Sequence, residues 1–152
     1  MANDLVKLSV AVGFVLLASC ASSAHQSDQE RHAQFAAYAG PLIQQFTWLG
    51  HFDSWEPLGQ NDLVVFTTPS DAYLLKVWPP CDLRFAFNGR GGETIGVTST
   101  GGTVSAGLDS IIERSPAVGR TICPISEIRK VDYRRMLADE RRQAQAKKQG
   151  SG

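Results

Sequence analysis

The chain of 152 residues carries 15 Lys and Arg against 15 Asp and Glu, a formal net charge of zero, and 43% of its residues are hydrophobic. That length fits one domain around a single core. The charge balance argues against general nucleic-acid binding, which needs a basic footprint.

At the amino terminus, Lys7 precedes an uncharged apolar run from Leu8 to Ala18. As a helix the run spans roughly 16 Å at about 1.5 Å per residue. A bilayer core is about 30 Å thick, so the run is too short to cross it. Its length suits the h-region of a signal peptide, and the small residues Ala18 and Ser19 precede the cut. Leu17-Ala18-Ser19-Cys20 resembles the lipobox of bacterial lipoproteins. The resemblance implies cleavage before Cys20, a diacylglyceryl thioether on its sulfur and an acyl group on its amine. Two or more chains anchor stably, each buried methylene adding ~0.8 kcal/mol. Ala21, not Asp, follows Cys20. In Gram-negative lipoproteins this implies sorting to the outer membrane, with the domain facing the periplasm. An ordinary secretory signal cut near Ala24 and a buried hydrophobic strand are the competing readings.

The organisation expected from this start is a signal peptide at 1–19, a linker at 20–27, one domain at 28–137 and a charged tail at 138–152. The cysteines are Cys20, Cys81 and Cys123. An odd number in an exported chain leaves one thiol to explain. A lipidated Cys20 leaves Cys81 and Cys123 as a pair in an oxidising compartment, where a disulfide is expected. Closing a loop of about 43 residues stabilises the fold by roughly 4 kcal/mol in the chain-entropy model. A redox pair or a metal site are the alternatives. There is no C-x-x-C, and two isolated thiols are too few for a structural zinc site without added His. No cofactor is expected.

The first element is a helix over 28–39. Ser27-Asp28-Gln29-Glu30 reads as its capping box, and Gly40-Pro41 as its stop. The body, 44–131, reads as strands. Asp62 to Thr67 and Ala72 to Trp78 flank the turn Thr68-Pro69-Ser70-Asp71 and form an antiparallel hairpin. Pro79-Pro80 ends the second strand. Leu83 to Phe87 reads as a strand and Gly89-Arg90-Gly91-Gly92 as a loop. Thr94 to Thr98 and Thr103 to Gly107 flank Gly101-Gly102 as a second hairpin. Arg120 to Ile125 and Glu127 to Val131 are edge strands or one bulged strand, because Pro124 cannot donate to a ladder. Asp132 caps a final helix, with Val131 and Met136 as a hydrophobic staple. From Ala138 onward that helix has nothing bulky to bury and is expected to project or fray. The predicted fold is α+β: a small, mainly antiparallel β domain, as a sheet or partly closed barrel of hairpins, between a short N-terminal helix and a charged C-terminal helix.

Charge is uneven along the chain. From Arg129 onward eight bases face three acids, Asp132, Asp139 and Glu140. A solvated helix end explains this most simply, and a basic arm on anionic lipid or an acidic partner is the sharper reading.

Several stretches occur together in a familiar order. They are Trp55-Glu56-Pro57-Leu58-Gly59, Tyr73-Leu74-Leu75, Cys81-Asp82-Leu83-Arg84-Phe85-Ala86, Gly102 to Asp109, and Cys123-Pro124-Ile125 through Asp132. They resemble an uncharacterised family of small proteobacterial lipoproteins, a domain of unknown function, over about Phe46 to Tyr133. The resemblance implies an envelope domain with Cys81 and Cys123 paired. It brings no catalytic residues.

Three features could carry chemistry. In His51-Phe52-Asp53 a strand would put His51 and Asp53 on one face, as a metal pair or a base with its orienter requires. They fall short of a metal set without a further donor such as Glu56. The Gly-rich stretch from Gly89 to Gly107 lacks the last Gly of G-x-G-x-x-G and is followed by no G-K-S/T, so turns explain it. The aromatics Trp48, Phe52, Trp55, Tyr73 and Trp78 fill a small core or line a groove, and Trp48 with Trp55 is the best binding surface among them. The expected function is a non-enzymatic, lipid-anchored envelope module that binds a protein or glycan partner. A small periplasmic hydrolase or metal-dependent enzyme using His51 and Asp53 is the alternative.

Overall fold

The structure, a computed structural model, describes residues 23–83, 95–99, 101–115 and 119–150. Its elements are α1 (Ser23–Ala37), β1 (Ala39–Ile43), β2 (Gln45–Thr47), β3 (Ser54–Pro57), β4 (Asp62–Thr68), β5 (Asp71–Val77), β6 (Ile95–Val97), β7 (Thr103–Ser105), β8 (Ser110–Ser115), β9 (Gly119–Val131) and α2 (Tyr133–Gln149). All strand pairs are antiparallel, and the fold is α+β with a sheet curled into a half-barrel. The large sheet runs β3-β4-β5-β9-β8-β6, with β1 also paired to β9, while β2 and β7 form a small second sheet.

The hairpin of β4 and β5 forms as its sequence predicts. Thr68 pairs with Asp71, and the Thr68 hydroxyl holds the turn by accepting from the amides of Ser70 at 3.3 Å and Asp71 at 3.1 Å. Leu63-Val64-Val65-Phe66 is apolar throughout because both faces of β4 are covered. Leu63 and Val65 join Leu75, Val77, Ile125 and Ile128 in an inner core, capped by Phe46 of β2 and Val104 of β7. Val64 and Phe66 join Ala72, Leu74 and Val131 under Phe35 of α1 and Met136 of α2.

The two segments around Pro124 are one strand. β9 lies between β5 on one side and β8 and β1 on the other, so it is not an edge. Its register with β5 slips between Lys76↔Glu127 and Val77↔Ile125. The extra residue keeps Cys123, Ile125 and Ile128 all in the inner core although their spacing is not uniformly two. Pro124, which has no N–H, sits opposite Ser110 and accepts from the Trp78 amide at 2.9 Å.

Several expectations are corrected. Helix α1 starts at Ser23, so 23–27 is helical rather than linker and Ser27 is not its cap. Gly40-Pro41 does not stop the helix but lies in β1, where the register with β9 is irregular between Ala39 and Leu42 and tolerates a residue without an N–H. The second hairpin does not form: β6 pairs with β8, and β7 pairs with β2. Gly102, at φ +71°, turns a corner between two sheets there, and its carbonyl accepts from the Trp48 amide at 2.8 Å. Strands β1, β3 and β8 were not foreseen. Of the expected strand Leu83 to Phe87 only Leu83 is described, and it is fully buried. Gly89 to Gly92 lies outside the described residues.

At the C-terminus Asp132 caps α2 by accepting from the Arg135 amide at 3.2 Å, and Val131 and Met136 are both buried across the cap. The helix runs on past Ala138 to Gln149 without fraying, and from Arg141 onward it is exposed and projects, as expected. Asp139 accepts from the Tyr38 hydroxyl at 2.8 Å, and Glu140 accepts from the Gln34 amide. Among the described residues no helix is long and apolar enough to cross a membrane.

Candidate functional site

At the disulfide end the chain leaves the sheet after β5 and is tied back to β9. Trp78 follows β5, the turn Pro79-Pro80 reverses the chain, and Cys81 reaches β9 in a disulfide with Cys123, their Cα atoms 5.6 Å apart. Asn61 donates to the Cys81 carbonyl at 2.6 Å, and the Leu83 amide donates to the carbonyl of Gln60 at 2.8 Å. Cys123 is buried, whereas its neighbours Ile122 and Pro124 alternate outward. Trp78 is 58% exposed and Ile122 48%.

Asp109 is the polar centre of the adjoining corner. Its carboxylate accepts from the Ser105 amide at 2.8 Å and from the Thr98 hydroxyl at 3.1 Å, while its carbonyl accepts from the Ile125 amide at 2.9 Å. One side chain thereby ties the ends of β6 and β7 together and its backbone binds β9. Sequence reasoning gave Asp109 no role. Its position closing the Gly102 to Asp109 stretch was the available signal, because Asp after a Gly-rich turn commonly bonds nearby backbone.

A polar cleft of about 240 Å³ runs between α1 and the sheet, lined by His32, Asp62, Lys76, Glu127 and Arg129 beside Leu74. His32 Nε2 stands 3.7 Å from the Asp62 carboxylate. Next to it Arg31 grips Glu56 with two bonds, Nε to Oε1 at 3.0 Å and Nη2 to Oε2 at 2.8 Å. That hydrogen-bonded carboxylate raises the Arg31 pKa above its ordinary value. Within the cleft His32 faces Asp62 of β4, and beside it the Arg31–Glu56 pair docks α1 on β3. The second cleft is wide and open, near Asp71, Lys130 and Tyr38. Asp71 is pushed below the usual carboxylate range by the Thr68 hydroxyl and then by Lys130.

His51 and Asp53 lie on a bend before β3, not in a strand, and both are exposed. The Asp53 amide donates to the Phe66 carbonyl at 2.8 Å. Among the described residues no group of three His, Cys, Asp or Glu could hold a metal ion. Trp48 and Trp55 are half-buried and both pack against the inner core. Trp48 lies 6.1 Å from Phe52, ring centre to ring centre, and its indole N–H is buried with no acceptor among the described residues. Tyr73 stacks on Phe46 at 4.3 Å. Of the five aromatics, Trp78 is the one that faces out most.

A sequence model of a family of unknown function, DUF6491, matches residues 3–148. The chain belongs to that family. No curated protein and no solved structure matches it. The DUF6491 match takes in the apolar run Leu8 to Ala18 and Cys20, and the described residues as far as Lys148.

Proposed function

We propose that the chain is a lipid-anchored protein of the bacterial cell envelope, acylated at Cys20 and acting as a non-enzymatic binding or structural module. The observation that carries this reading is the Cys81–Cys123 disulfide. It is the bond expected of an oxidising compartment, and it leaves Cys20 as the one cysteine without a partner in the domain. Cys20 stands directly after an apolar run of signal-peptide length that ends in Leu17-Ala18-Ser19. Ala21 favours the outer membrane over retention in the inner one, with the domain in the periplasm. An envelope protein or glycan is the proposed partner.

Metabolic labelling with an alkyne fatty acid tests the anchor. The wild-type chain takes up label and fractionates with membranes, and Cys20→Ser abolishes both while the domain stays folded. A Cys20→Ser chain that still carries label and still sediments with membranes overturns the reading.

A further inference from the structure

We propose that the disulfide end of the domain, through Trp78 and Ile122, rests on the bilayer that holds Cys20; the inference rests on the lipid-anchor reading. The direction of α1 carries it. Ala39 pairs with Val131 at one end of the sheet, Phe35 lies against Phe66, and His32 meets Asp62 at the other end of β4. From His32 to Ser23 the helix continues for about 14 Å past that row at ~1.5 Å per residue. Asp62 is opposite Lys76, so the row it passes is the one from which Trp78 and Pro79-Pro80 emerge. β9 pairs with β5 only as far as Ile125, and its remaining residues extend with β8 past the same row.

Two residues separate Cys20 from Ser23. At about 3.5 Å per residue they hold the helix end within roughly 10 Å of the anchored cysteine. The end of the domain nearest the anchor therefore carries Trp78, Pro79, Pro80, Ile122 and Pro124, all exposed. Trp is favoured where an apolar layer meets water, because its ring is apolar and its N–H can stay wet. Leu108, 85% exposed, follows Gly107, whose amide bonds the Ile125 carbonyl, and so borders the same surface. A short tether and an apolar, aromatic end on the tethered side fit a lipid surface.

The test uses the full lipoprotein purified from its membrane and reconstituted in phosphatidylcholine–phosphatidylglycerol vesicles. Flotation with the vesicles is read first, then quenching of tryptophan emission by lipid brominated on its acyl chains. The floated wild type loses the share of emission from one tryptophan in three. Trp78→Phe removes that quenchable share, and Ile122→Asp reduces it while leaving the far-ultraviolet spectrum unchanged. Protein that floats but is not quenched stands off the bilayer and overturns the proposal alone. Quenching that persists in Trp78→Phe places another tryptophan in lipid and also overturns it. Protection of Trp78 from iodide only on adding envelope proteins assigns the face to a protein and overturns lipid contact. Failure to float overturns the anchor itself, and this inference with it.

Discussion

The two ends of the sheet are closed by different means. At the end where β9 leads into α2, the helices cover one face: Phe35, Phe66 and Tyr133 pack in ring contacts at 4.9 to 6.4 Å, and Met136 of α2 is buried among them. Polar ties between α1, α2 and β3 supplement that packing. At the other end a covalent bond and the Asp109 corner hold the chain, and Trp78, Ile122 and Leu108 stay exposed. A small domain can close an end with apolar burial or with a cross-link. The cross-link leaves apolar side chains exposed, and that is the difference the proposed bilayer contact uses.

The sharpest way to break this comparison is to empty the helix-covered end. Phe35→Ala removes a fully buried ring and is expected to cost about 3–5 kcal/mol in urea unfolding. Hydrogen exchange should quicken in α1 and α2 far more than around Cys123. A cost under about 1 kcal/mol would mean that the helices are peripheral to the fold.

Replacing Cys81 and Cys123 together by Ala is expected to cost roughly 2–4 kcal/mol. Exchange should rise first in residues 119–125, with the β4–β5 hairpin less affected. Equal loosening at both ends would show that the disulfide has no local role. Asp109→Ala leaves the Ser105 amide and the Thr98 hydroxyl without their acceptor. About 1–3 kcal/mol should be lost, and Asp109→Asn should recover part of it, because the amide oxygen can still accept one bond.

The smallest effect is on acid stability at the helix-covered end. Asp71 is held low by the Thr68 hydroxyl and Lys130, and Asp139 by Arg142 and the Tyr38 hydroxyl. A carboxyl whose folded pKa lies below its unfolded value of about 4 stabilises the fold above that value. The contribution is lost as pH falls through the folded pKa. Asp71→Asn should therefore lower stability slightly at neutral pH and flatten its decline on acidification. Both carboxyls are half-buried and still reach solvent, so salt should weaken the effect in part.

Legibility in the sequence followed the range of the interactions. The β4–β5 hairpin and the Asp132 cap depend on neighbours a few residues apart, and both are written in the local pattern. One bulged strand around Pro124 was among the readings that pattern allowed, although the extra residue is Ser126, two positions after the proline. The pairing of β6 with β8 and of β7 with β2 was not legible. Gly101-Gly102 has the chemistry of a hairpin turn, and only the burial of Val104 against Phe46, far away in sequence, selects a corner instead. Gly40-Pro41 misled for the same reason, since a gap in the β1–β9 ladder accepts residues that local rules treat as helix breakers. At the candidate site, the disulfide was reached from the count of cysteines. Trp48 and Trp55, expected to form a binding groove, pack at the margin of the core, while Trp78, just before the turn at Pro79-Pro80, is the more exposed.

The central claim is that Cys81 and Cys123 hold the domain closed while Cys20 carries the anchor. It is tested most directly by the intact mass of protein extracted from its native membrane without reductant, measured again after reduction. The account predicts a chain beginning at Cys20 with a lipid adduct, and a gain of about two daltons when one disulfide takes up two hydrogens. An unlipidated chain beginning after Cys20, or a mass unchanged by reduction, would contradict it.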